Sequence, residues 1–149
     1  MKTITEWFDE YSQSHQNKTN KKIHWVCVPA ILFSIIGIIY HFSALLTAIL
    51  LVLTLIFYAR LDLILAIAMM ILLVVMAWLI HILPVGVGFY IAIFIIAWIG
   101  QFYGHKVEGK KPSFLKDLQF LLIGPIWCMD AYLEKVLPKW QSKQKINHF

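Results

Sequence analysis

The sequence predicts an all-α, polytopic membrane protein with four transmembrane helices plus a C-terminal interfacial or re-entrant helical segment. Three observations predict it. Hydrophobic residues make up 60% of the 149 and charged residues 14%, with a mean hydropathy of +0.74, too apolar for an ordinary soluble domain. The apolar residues are gathered into long blocks instead of recurring at helix or strand spacing, so a single buried core is not their purpose. All 13 Lys and Arg fall before the first block, between the second and third, or after the fourth. The whole chain, residues 1–149, reads as one membrane domain.

Residues 1–24 form a polar, aromatic segment without the charged-then-apolar pattern of a cleaved signal peptide, so the first membrane helix is expected to stay. The blocks run Trp25 to His41, Phe42 to Ala59, Leu63 to Ile82 and Val85 to Tyr103. Each is near the ~20 residues that cross a bilayer core. Their separators are brief: His41-Phe42-Ser43, Arg60-Leu61-Asp62 and Leu83-Pro84. Basic residues are retained on the cytoplasmic side, so their distribution predicts an integral membrane protein with both termini cytoplasmic. The membrane is a bacterial inner membrane or the endoplasmic reticulum. Trp25, Tyr40, Trp98 and Tyr103 at segment ends read as interfacial belts, and Gly86 and Gly88 as places of close helix approach.

Residues 104–149 comprise a basic loop, an interfacial segment and a tail. In FLKDLQFLLIGPIWCMDAYLEKVLP the apolar stretches are interrupted by Lys116, Asp117, Asp130 and Glu134, which argues against a fifth span. Gly124-Pro125 is expected to end or kink a helix there. The tail, KWQSKQKINHF, is basic enough to meet anionic headgroups, or is simply solvated. Cys27 and Cys128 stand far apart with no CxxC spacing and read as small packing residues.

Six histidines are many for so small a membrane protein, and they are suited to metal binding or proton transfer. His24 begins the first helix and His105 follows the fourth, so an even number of crossings returns them to one membrane face. His15 lies on a segment able to fold back over that end. Three neutral imidazoles with open positions suit Fe(II), Zn(II) or a similar ion. If the end of the fourth helix stays regular, Gln101, His105 and Glu108 share a face. Asn20 and Gln13 are available to hydrogen-bond a ligand or a water. His41 and His81 come out at the opposite face, structural or a second site; His81 is kept as a further metal candidate, and His148 is given no role. The chain has no GxSxG, P-loop or dinucleotide fingerprint, which removes most hydrolase, nucleotide and dehydrogenase readings. No nucleic-acid partner is expected.

At HQNKTNKKIHWVCVP and QFYGHKVEGKKPSF the chain resembles the 2-hydroxy fatty acid dioxygenase family, small membrane proteins of phytosphingosine breakdown. The family's early His, its Asn four residues before a second His, and the Pro five residues after it fall on His15, Asn20, His24 and Pro29. Its second block falls on Gln101, Phe102, Gly104, His105, Glu108, Lys110, Lys111 and Pro112, and its small-residue-Pro pair on Gly124 and Pro125. The chain departs from the pattern at Val107, Gly109 and Ser113. The resemblance implies an Fe(II)-dependent dioxygenase that shortens a 2-hydroxy long-chain fatty acid by one carbon, using molecular oxygen without 2-oxoglutarate. It implies iron held by His15, His24 and His105, with Glu108 and Asn20 beside it or as a further ligand. Lys106, Lys110 and Lys111 would favour the substrate's carboxylate while its chain lies among the helices and membrane lipids. The reading from another class is a non-catalytic lipid-binding or scaffold protein with structural histidines. A small transporter is weaker, since no ionisable residue marks a path at mid-membrane.

Overall fold

The computed structural model describes residues 2–109 and 120–143. Lys110, Lys111, Pro112, Ser113, Lys116, Asp117 and His148 lie outside the described residues. The order is α1 (Ile4–Ser12), α2 (Lys18–Phe42), α3 (Ala44–Leu61), α4 (Leu63–Ile82), α5 (Val87–Glu108) and α6 (Ile123–Val136), with no strand among the described residues. Helices α2 to α5 are long and apolar enough to cross a membrane. Much of their large apolar surface faces outward, including Leu53, Ile71, Val74 and Ile96, as lipid-facing helices require.

The four spans stand where the hydropathy blocks are, with moved ends. Helix α2 begins at Lys18, seven residues before the apolar block, because Asn17 caps it: its side-chain oxygen accepts from the backbone N–H groups of Thr19 and Asn20. Helix α5 continues to Glu108, where Gly109, at φ +80°, closes it with its N–H on the carbonyls of His105 and Lys106. Single extended residues separate α2 from α3 and α3 from α4. Ser43 and Asp62 each end one helix and cap the next, accepting from the N–H groups of Leu46 and Leu65.

The polar N-terminal segment is itself helical. Thr3 and Glu6 form a reciprocal capping box at the start of α1, and the Thr3 backbone N–H bonded to the Glu6 carboxylate holds its pKa below the usual range. Ile4, Phe8 and Tyr11 line one face of α1 and are buried, packed towards α6.

Two sequence expectations are corrected here. Gly124-Pro125 does not break a helix; it lies in the first turn of α6, where a missing N–H costs nothing. The α6 helix is deeply packed, with Ile126, Trp127, Cys128 and Asp130 fully buried. Gly86 and Gly88 meet no neighbouring atom. Close approach instead occurs along α2 and α5, where Gly37 leaves room for the Tyr90 ring, Gly100 for the Cys27 sulfur and Gly104 for the Asn20 side chain. The first residues of the tail are also pinned: buried Asp130 accepts from Trp140 Nε1 at 3.1 Å, Ser142 Oγ at 2.6 Å and the Lys143 backbone N–H at 3.2 Å.

Candidate metal centre

His15, His24 and His105 meet at the end of the bundle that carries the N-terminus of α2. Three separate elements deliver them. His15 follows α1 in the short turn before Asn17, His24 lies two turns into α2, and His105 is in the last turn of α5. Their ring centroids are 4.2 Å apart for His15 and His24, 5.7 Å for His24 and His105, and 6.4 Å for His15 and His105. All three are buried.

Backbone carbonyls set two of the tautomers. His15 Nδ1 is 2.7 Å from the Tyr11 carbonyl oxygen, and His24 Nδ1 is 2.9 Å from that of Asn20. A carbonyl only accepts, so each Nδ1 carries the proton and the neutral ring presents Nε2 as a lone pair. The His15 ring is further held flat against Tyr11, with centroids 4.1 Å apart, and Trp127, a further neighbour, is anchored by an Nε1–H donated to Ser12 Oγ at 3.0 Å.

Glu108 and Asn20 fall in the same group. Glu108 Oε1 accepts from Asn20 Nδ2 at 3.1 Å and from the backbone N–H of Asn17 at 2.9 Å. The end of α5 is thereby tied to the start of α2, which sets His24 and His105 relative to each other. Asn17, Tyr11, Ser12 and Trp127 were not among the sequence candidates. Asn17 carried a signal, an N-cap residue type, obscured by placing the helix start at Trp25.

Other candidates are elsewhere. His81 is not brought to the three imidazoles: its Nδ1 is 2.8 Å from the Tyr40 hydroxyl, 16 residues along α2 from His24, or about 24 Å at the helical rise. The cause is topological, since α2 and α4 run in the same direction and His81 ends α4. His41 lies at that far end too, against the carbonyls of Gly37 and Val85. Gln13 is exposed at the end of α1. Cys128 donates its thiol to the His24 carbonyl oxygen at 3.6 Å, and burial pushes its pKa up.

Deeper in the bundle lies a cavity of about 390 Å³, lined by Leu32, Ile35, Ile36 and Ile39 of α2, Leu51, Thr54 and Phe57 of α3, Leu73 of α4 and Trp7 of α1, with Leu121 to Ile123 at one wall. Its walls are almost wholly apolar. His24, Val28, Leu32, Ile35 and Ile39 follow one another at three- and four-residue steps along α2, so this face of the helix leads from the imidazole group to the cavity.

A profile of the family described as 2-hydroxy-palmitic acid dioxygenase Mpo1-like matches residues 1–136. The chain belongs to this family. It is 35% identical over 134 residues to the 2-hydroxy-palmitic acid dioxygenase MPO1 of Saccharomyces cerevisiae, an alignment covering 85% of this chain and 77% of that protein. No solved structure matches it.

The donor set in this Mpo1-like chain suits a divalent ion in kind. It offers three imidazoles, two of them with Nδ1 held on carbonyls, the arrangement that orients a ligating Nε2. Among the described residues, however, no three His, Cys, Asp or Glu donors surround one point as ligands of an ion do. A metal–nitrogen distance of about 2 Å separates the rings of neighbouring ligands by roughly 5 Å, so the His15–His105 separation would have to shorten.

Proposed function

We propose that this chain is an Fe(II)-dependent dioxygenase that shortens a 2-hydroxy long-chain fatty acid by one carbon. Membership of the 2-hydroxy-palmitic acid dioxygenase Mpo1-like family supports the substrate class and the use of dioxygen. The single observation that carries the reading is the convergence of His15, His24 and His105, from three elements, into one buried group. Those three residues would hold the iron, whose contribution is to bind and activate dioxygen beside the substrate. The C1–C2 bond breaks, C2 becomes the carboxyl carbon of the shorter acid and C1 leaves as carbon dioxide, with dioxygen as the oxidant and water taking up the remaining oxygen atom and the two hydrogens lost.

The protein's own part is placement. Tyr11 and the Tyr11 and Asn20 carbonyls fix two imidazole orientations, and Glu108, through Asn17 and Asn20, holds α5 against α2. Glu108 is a positioning residue in this account, acting through Asn17 and Asn20. The apolar cavity accepts the acyl chain, at a size common for small-molecule sites, while Lys21 and Lys106 supply positive potential at the imidazole end. With basic residues on the cytoplasmic side, that end and both termini face the cytoplasm.

The deciding experiment measures metal content of the purified protein together with oxygen uptake on adding 2-hydroxypalmitate. Bound iron and substrate-dependent uptake support the reading. Protein that binds no metal and consumes no oxygen would instead be a lipid-binding scaffold.

A further inference from the structure

Two buried amide oxygens at the imidazole group have no hydrogen-bond partner among the described residues: Oδ1 of Asn20 and Oε1 of Gln101. Asn20 is completely buried and Gln101 is 7% exposed. A buried acceptor left unmet costs free energy that a bound donor would recover.

Gln101 lies on the α5 face that carries His105 and Glu108, one turn further into the bundle than His105. Its flanking glycines locate it against α2: Gly100 packs on Cys27, and Gly104 on Asn20 and His24. Gln101 is therefore at the level of His24 and Cys27, on the side of the imidazoles that leads into the membrane. An acid with its carboxylate at the imidazoles and its chain running inward would bring its second carbon to this level.

The chemistry of the proposed substrate narrows what such an oxygen can meet. An ionised carboxylate only accepts, and an alkyl chain neither donates nor accepts. The 2-hydroxyl is the one hydrogen-bond donor in the molecule. We infer that Gln101 Oε1 accepts the hydrogen bond of the substrate's 2-hydroxyl, with Asn20 Oδ1 as a second acceptor beside it, and that this selects 2-hydroxy acids over unsubstituted ones. This rests on the dioxygenase reading above. A site built to hydrogen-bond a hydroxyl rejects the analogue lacking it, because the buried acceptor is then unpaired.

The test compares binding of 2-hydroxypalmitate and palmitate to the full-length, iron-loaded protein under nitrogen, so that no turnover intervenes. The wild type should prefer the hydroxy acid. In Gln101→Met, which keeps the side chain's bulk and removes the acceptor, that preference should fall about five- to tenfold while palmitate affinity is unchanged. In Gln101→Glu, which keeps an acceptor oxygen, both acids should weaken together and the preference should survive. The inference is overturned by full preference in Gln101→Met, the result expected if a water meets Oε1, or by loss of preference in Gln101→Glu. A wild type that binds neither acid overturns the substrate reading itself, and this inference with it. Should Gln101→Met not fold, Gln101→Leu, which also removes the acceptor, takes its place with the same expected fall and the same overturning result.

Discussion

The hydroxyl of Tyr132 donates a hydrogen bond to the backbone carbonyl of Trp25. That carbonyl is the one four residues before Pro29, and Pro29 has no N–H to give it. A proline inside a membrane-spanning helix leaves a buried acceptor unmet, and here α6 supplies the donor from 107 residues away. The contact lets α2 continue to Phe42 through Pro29 without a stranded carbonyl, and it ties α6 to α2.

Tyr132→Phe should destabilise the fold by about 1–3 kcal/mol, the cost of stranding that carbonyl. Pro29→Ala restores the helical donor, so in the double variant the Tyr132 hydroxyl should be nearly dispensable. Thermal unfolding of the four proteins in detergent measures the coupling; additive losses would show that the two residues do not share the carbonyl.

His15→Ala, His24→Ala and His105→Ala should each lose bound iron and oxygen uptake while remaining monodisperse in detergent. His81→Ala should keep the metal, since its partner is Tyr40 at the far end of the bundle. Metal analysis of the four variants checks this, and undiminished iron in all three of the first group would refute the assignment.

Glu108 can be graded. Glu108→Gln retains an oxygen able to accept from the Asn17 N–H and Asn20 Nδ2, and should lose only the strengthening due to charge, about 1 kcal/mol. Glu108→Ala strands both donors and should cost about 2–3 kcal/mol. Activity is expected to fall in the same order. An equal effect of the two substitutions on stability would mean that the acceptor oxygen is not what matters.

Gly104→Ala drives a methyl group into the Asn20 side chain, against the buried face of α5. Overpacking of this kind costs about 1–3 kcal/mol and should push Asn20 away from Glu108. Gly88→Ala meets no neighbour and should leave stability within about 0.5 kcal/mol of the wild type or raise it slightly through helix propensity. Denaturation of the pair in the same detergent gives the comparison.

The proposal that the apolar cavity takes the acyl chain predicts a change in chain-length preference. Ile35→Phe adds bulk to its α2 wall and should lower turnover of long 2-hydroxy acids more than of short ones. Relative rates for a series of chain lengths measure it; a uniform reduction would place the chain elsewhere.

Hydropathy blocks, the distribution of 13 basic residues and the short motifs around His15, His24 and His105 were enough to predict four helices, the family and the three converging imidazoles. These are properties of local composition and of counting crossings, which need no knowledge of how the helices are rotated. The tertiary structure alone decided what depends on rotation and on backbone hydrogen-bond accounting between distant segments. It turned residues 4–12 into a helix with a buried face, put Gly104 and not Gly88 at a close approach, and gave Glu108 the donors at the start of α2 to bind. It also joined Tyr132 to Trp25. A membrane span can be read from its own residues because the bilayer is its solvent, whereas a stranded carbonyl or an empty glycine face is answered only by whichever element the fold brings to it.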